Sequence, residues 1–206
     1  MLSNSGLRPT LWRTCRVLAN RNRLRIFHSL LQQPDQTVSA IASRFGLSLS
    51  VASESLRLLE SRSLLTARRT GKYVKYRVVP TRRDNPKSRL AAELRAIFHE
   101  RTLSKASDTI FQLVTAFTHP RRIEIFRALR MRPRTFDQVQ AATGVSALAL
   151  SRHVKKLEVR RFIECRDGLY SVVRRVDPLR RELMRLAAGD VTETRLNTLS
   201  EVCNEG

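Results

Sequence analysis

The stretch Gly144-Val145-Ser146-Ala147-Leu148-Ala149-Leu150-Ser151-Arg152-His153-Val154-Lys155-Lys156-Leu157 decides the fold. Leu150, Val154 and Leu157 fall at i, i+4 and i+7, so one face of a helix is apolar. Gly144 stands where the chain must turn with a positive φ, and Ser146 where a hydroxyl can cap the next helix. Just upstream, Thr135 is placed to cap a shorter helix with Phe136 and Val139 inward. Short helix, glycine turn and Ser-capped second helix make a helix-turn-helix pattern. With its leucines and valine inward, the second helix turns Ala147, Ser151, Arg152 and Lys155 outward.

The same pattern occurs earlier in the chain. At an offset of 99 residues, Thr10-Leu11-Trp12-Arg13 matches Thr109-Ile110-Phe111-Gln112, and Arg23-Leu24-Arg25-Ile26-Phe27 matches Arg122-Ile123-Glu124-Ile125-Phe126. One deletion later, at an offset of 98, Phe45-Gly46-Leu47-Ser48 matches Thr143-Gly144-Val145-Ser146, and Ser53, Leu56 and Leu59 match Ser151, Val154 and Leu157. So long a matched run identifies a duplication. Each copy is expected to open with two helices (10–19 and 21–32; 109–118 and 120–130), the second stopped by Pro34 or Pro133. Thr37, Gly46 and Ser48 then repeat the capping and turning positions, and Ala52, Leu56 and Leu59 the inward face.

A hairpin is expected after each recognition helix. Residues 64–69 and 73–79 flank Thr70-Gly71-Lys72, and 162–165 and 169–173 flank the hairpin dipeptide Asp167-Gly168. Between the copies lies a polar link, 81–88, then a helix over 88–104 with Leu90, Leu94, Ile97 and Phe98 on one stripe. That stripe suits packing between the domains or a homodimer contact with another chain. A second such segment, 178–188, carries Leu179, Leu183 and Leu186, and a loose or marginally helical tail follows from Gly189. The expected architecture is mainly α with small β-hairpin wings, an α+β class of two tandem winged helix-turn-helix domains joined by a helix. Its divisions are 8–80, a linker with helix over 81–106, a second domain over 107–177, and a terminal helix and tail over 178–206.

Lys and Arg number 39 against 18 acidic residues, a net charge of +21. A chain this basic concentrates polyanions, and counterion release from nucleic acid is the natural outlet. Membrane lipid is the rival, but the cations are spread along the chain instead of forming one cluster or one basic helix. No run approaches the ~20 apolar residues of a bilayer span, and Met1–Pro9 lacks the apolar core of a secretion signal. The expected location is cytoplasmic and nucleoid-associated. Cys15, Cys165 and Cys203 are scattered and form no CxxC pair, which argues against a disulfide framework or zinc ribbon. No P-loop, nucleotide-binding glycine turn, nucleophile with its base, or paired carboxylate is found, so no enzymatic activity and no cofactor are expected.

Both copies resemble the winged helix-turn-helix domain of ArsR-type bacterial regulators. The nearest stretch is 144–157, similar to that family's recognition segment, where two serines, a histidine and a leucine recur at this spacing. Copy one departs from it, with Glu54 in the place of Arg152 and Ser55 in the place of His153. The resemblance implies sequence-specific double-stranded DNA binding by a transcriptional regulator, of the repressing kind. It does not extend to metal sensing. The third helices carry Ser39-Ala40-Ile41 and Asp137-Gln138-Val139 without a thiol, the C-terminal helices have no histidine, and no metal site is expected.

The residues expected at DNA are Ser48, Ser50, Ser53, Arg57, Arg68, Arg69, Lys72 and Lys75 in copy one. In copy two they are Ser146, Ser151, Arg152, His153 and Lys155. Arg152 suits a guanine edge, while Ser and Lys suit base edges or phosphates. Glu54 faces phosphate unfavourably unless it accepts from a cytosine amino group. Copy one compensates with Arg68, Arg69, Lys72, Lys75 and Arg77 in its wing. Copy two is therefore expected to read bases, and copy one to grip the backbone and minor groove. His153 suits a DNA contact or a structural place, and His28, His99 and His119 stand alone as structural residues. Trp12 and Phe27, Phe111, Phe117 and Phe126 lie on apolar helix faces, as core or dimer-contact residues do. The alternatives are an RNA-binding or ribosome-associated protein, and a nucleoid or replication protein without operator specificity. RNA recognition relies on exposed aromatics, which are scarce here apart from Tyr73, or on backbone contacts across the minor groove.

Overall fold

The computed structural model describes residues 10–80, 86–174 and 176–189. The leading segment 1–9, most of the expected polar link and the expected tail beyond Gly189, with Cys203, lie outside the described residues. The chain is mainly helical with small antiparallel sheets, and it divides into two compact units, Met1–Thr118 and His119–Gly206.

Unit one runs α1 (Leu11–Leu18), α2 (Arg21–Gln32), β1 (Gln36–Thr37), α3 (Val38–Phe45), α4 (Leu49–Glu60), β2 (Leu65–Thr70), β3 (Tyr73–Val78), α5 (Pro86–Glu100) and α6 (Leu103–Val114), ending in a 3-10 turn, Thr115–Phe117. Local chemistry sets the boundaries. The Asn20 side chain accepts from Arg23 N, Thr37 Oγ1 from Ala40 N and Ser48 Oγ from Val51 N, each satisfying an orphan donor of a helix start. Gly46, at φ +61°, closes α3 in the left-handed region and aims α4. Leu24, Phe27 and Leu30 of α2, Ile41 of α3, and Ala52, Leu56 and Leu59 of α4 are buried together with Leu64.

The sheet order is β1-β3-β2, all antiparallel. In the hairpin, Leu65 faces Val78 and Thr70 faces Tyr73 across the two-residue turn Gly71-Lys72. β1 is an addition to the sequence reading, pairing Gln36 with Tyr76 and Thr37 with Lys75. Two residues are too few for alternation to register in a sequence.

The helix expected over 88–104 starts earlier and stops at Glu100. A break at Thr102, whose backbone is extended (ψ 151°), starts α6 at Leu103, so the helix expected over 109–118 begins six residues early. Ala106, Ile110, Leu113 and Val114 continue one apolar face and are buried, which fixes that start. Through this face α6 packs on α1, α2 and α5 inside unit one. Since α6 repeats α1 in sequence, a helix here packs against its own duplicate. Leu90, Leu94 and Phe98 are also buried within unit one, where Phe98 meets Phe27 (centroids 6.1 Å) and His28 (5.1 Å). A second chain approaching that stripe finds only Ile97 half-exposed.

Unit two holds α7 (Pro120–Met131), α8 (Phe136–Thr143), α9 (Ala147–Val159), β4 (Ile163–Arg166), β5 (Leu169–Val172) and α10 (Pro178–Ala188). Thr135 and Gln138 form a reciprocal capping box at α8, and Gly144 turns the chain at φ +62°. Ser146 occupies the N-cap of α9 through its carbonyl, which accepts from Leu150 N at 2.8 Å, but its hydroxyl makes no capping bond, contrary to the expectation. The core joins Ile125, Phe126 and Leu129 to Val139, Leu150, Val154, Leu157 and Phe162. From α10, Leu179 and Leu183 are buried too, and Arg127 Nε donates to Ala187 O at 2.7 Å. The counterpart of β1 shrinks to a single bridge, Arg134 with Tyr170. Among the described residues no helix is long and apolar enough to cross a membrane.

A Cβ added at Gly144 meets nothing within 4 Å, so the cost of a side chain there is one of backbone conformation alone. Gly144→Ala is expected to lower stability by about 1 kcal/mol in urea unfolding, and Gly144→Asn by clearly less. Equal losses would show that the turn is not held left-handed.

Candidate nucleic-acid interface

Burial of Leu150, Val154 and Leu157 leaves Ser151, Arg152 and Lys155 of α9 exposed. At 3.6 residues per turn, Leu148, Arg152, Lys155 and Val159 share one line opposite the core. Leu148 is 68% exposed and Val159 62%. In α4 the buried set is Ala52, Ser55, Leu56 and Leu59, and the outer line carries Ser50, Glu54 and Arg57, all exposed. Ser53 is half-buried, and Ser48 is exposed with its oxygen engaged as the cap of α4.

Glu54 has a charged neighbour. It lies near enough to Arg23 to favour the charged guanidinium, against burial, which pulls that group below its ordinary range. Arg23 itself ties down the end of α1, with Nε on Val17 O at 2.5 Å and Nη2 on Arg16 O at 3.2 Å. The carboxylate at the centre of the α4 face thus has a cation of its own unit in its neighbourhood.

His153 does not stand on the outward line of α9. It is half-buried, and its ring meets that of His119 at 4.7 Å between centroids. His119, expected to stand alone, is therefore one of a pair, and its Nδ1 accepts from Arg121 N at the start of α7. Both imidazoles are held below the ordinary histidine range. For His153 the causes are burial, then His119, Arg122 and Arg121; for His119 they are burial, then Arg122 and Arg121, with Glu124 opposing.

In the first hairpin Arg68, Arg69, Lys72 and Arg77 are exposed and Lys75 is half-buried. Arg68 lies directly across from Lys75 in the ladder, a like-charge pair that disfavours the hairpin by itself. Relief comes from Asp35, which takes Arg77 Nε at 2.9 Å and Nη2 at 2.5 Å in a two-point contact. That contact, with Lys75 and Arg68 nearby, holds the Asp35 carboxyl below the usual carboxylate range. Arg77 is thus spoken for, while Arg68 and Lys75 share what is left of one negative charge. At the tip Lys72 Nζ lies 5.4 Å from the centre of the Tyr73 ring, and Arg69 Nε donates to Gly71 O at 3.4 Å. The second hairpin is shorter and less basic. Its Arg166 pairs with Glu164 at 2.9 Å, and Asp167 and Gly168 turn with positive φ.

Helix starts add to the positive field. Of the described α-helices, only α8 has an acidic residue in its first turn, and α2 and α7 place Arg21, Arg23, Arg121 and Arg122 there. Cations at a helix N-terminus oppose the macrodipole and leave it unneutralised for an anion. Cys15 is buried and Cys165 exposed, and among the described residues no three His, Cys, Asp or Glu side chains cluster as metal ligands do.

Leu148, Val159 and Asp35 join these faces without being among the residues expected there. A helical projection places the first two on the Arg152 line, but an apolar residue on a charged face does not advertise itself. Asp35 acts across 42 residues of chain, beyond any local signal. No family model matches the sequence, and no curated protein matches it.

A histidine whose folded pKa is depressed contributes stability above its unfolded value, near 6.5, and loses it as pH falls through the folded value. Thermal unfolding of the intact chain is therefore expected to move down more steeply between pH 7 and pH 5 than that of the His119→Asn, His153→Gln double variant. Parallel curves would remove the pair from the pH dependence.

Proposed function

We propose that the chain binds double-stranded DNA in a sequence-specific manner as a transcriptional regulator, using two tandem winged helix-turn-helix units of the ArsR-like kind. The observation that carries this reading is the outer face of α9. A helix launched from a left-handed glycine and followed by a hairpin presents Ser151, Arg152 and Lys155 together, on a chain of net charge +21. Arg152 has the donor geometry for the O6 and N7 of guanine in the major groove, and Ser151 and Lys155 reach neighbouring edges or phosphates. The first unit supports a different role, because its α4 face centres on Glu54 while its hairpin exposes Arg68, Arg69 and Lys72. Copy two reads sequence, and copy one supplies affinity through the backbone.

Selection from fragmented genomic duplex at physiological salt tests the reading. Low-salt binding alone reports only a basic protein. Enrichment of a few sites is expected, with Arg152→Ala relaxing preference at one guanine by about 1–3 kcal/mol. Arg69→Ala is expected to weaken all sequences alike and to reduce the salt slope by about 1. Retention that is strong but flat across sequences favours an architectural or nucleoid role, and preference for RNA over duplex DNA favours the RNA-binding alternative. Either result overturns the proposal.

A further inference from the structure

The described residues leave few large apolar side chains in water, and most of these are gathered in two kinds of place. Leu49, Val51 and Leu148 lie in the first turns of α4 and α9, and Tyr73, Val74 and Leu169 lie at the hairpin tips. Scattered exposed leucines need no explanation, but clustering on the faces already proposed for DNA does. Leu148 is the clearest. It sits one turn before Arg152, on the same outward line as Arg152 and Lys155, and on the side of the helix opposite the buried row Leu150, Val154 and Leu157.

An apolar partner covering Leu148 would also cover Arg152 and Lys155 and strand two cations away from water. The major groove of DNA avoids that cost. Its floor offers acceptors to the cations and an apolar group, the C5-methyl of thymine. In α4 the place equivalent to Leu148 is Ser50 and that of Arg152 is Glu54, so α4 does not set an apolar side chain one turn before an arginine on its outer line. Four residues advance a helix by about 6 Å, and base steps along a strand are about 3.4 Å.

We infer that Leu148 is a specificity-determining residue that covers a thymine methyl about two base steps from the guanine facing Arg152. The inference rests on the DNA-binding reading and adds to it the identity of a second base. Discrimination comes from removing one methyl group and one leucine surface from water together. Loss of the methyl alone is expected to weaken binding about fourfold.

The test uses the full chain and the duplex it selects from a randomised pool. Thymines of that duplex are replaced one at a time by uracil, which lacks only the methyl, and affinities of the wild-type, Leu148→Ala and Arg152→Ala chains are compared. The expected result is one thymine, about two steps from the guanine at which Arg152→Ala relaxes preference, whose replacement weakens wild-type binding about fourfold and leaves Leu148→Ala binding unchanged. Because Leu148 is exposed, Leu148→Ala should melt at the wild-type temperature, and that control separates recognition from folding. An Arg152-dependent guanine without a uracil-sensitive thymine overturns the methyl contact and leaves the base-reading proposal standing. Failure to select any Arg152-dependent guanine overturns both. If Leu148→Ala changes sedimentation and not base preference, a second copy of the chain is the occupant and the inference falls.

Discussion

Burial of three side chains on α9, Leu150, Val154 and Leu157, is the constraint from which the rest of the candidate interface follows. Their cost of exposure, about 1.5–3 kcal/mol each, pins the rotation of the helix about its axis. Once that rotation is set, Leu148, Ser151, Arg152 and Lys155 have no choice but to face outward. Ala52, Leu56 and Leu59 impose the same setting on α4. The left-handed glycines, Gly46 and Gly144, then decide where each helix starts and how it leaves the preceding one.

Within this shared frame the two copies have been tuned electrostatically in opposite ways. In the first, Glu54 favours the charge of the part-buried Arg23, and Asp35 holds Arg77, so cations remain mainly along the hairpin at Arg68, Arg69 and Lys72. In the second, Arg122, the counterpart of Arg23, lies near a neutral-leaning histidine pair, and the arginine of the outer α9 face is left for other partners. Its hairpin, by contrast, balances Arg166 against Glu164. A duplication thus retains one set of core positions while the surface charges diverge, because the core is constrained by packing and the surface is not.

Legibility in the sequence followed the range of the interactions. Thr37, Thr135 and Ser48 act within three residues of themselves, and the positive φ of the two glycines is a single-residue property, so the starts of α3, α4 and α8 and the turns that close α3 and α8 were legible. The outward positions of Arg152 and Lys155 followed from the same helical period. Ser146 shows the limit even at this range, since a capping position does not compel its hydroxyl to bond.

By itself, the sequence determined the internal repeat, the mainly helical class, the hairpins and the rotation of α4 and α9, because periodicity, caps and turns are written in neighbouring residues. Tertiary structure alone decided that α6, the duplicate of α1, belongs with the first unit, that Gln36 and Thr37 join β3, that His119 meets His153, and that Asp35 quiets Arg77. The physical reason is common to all four. Each depends on which residues distant in sequence the folded chain brings side by side, and no local run of residues records that.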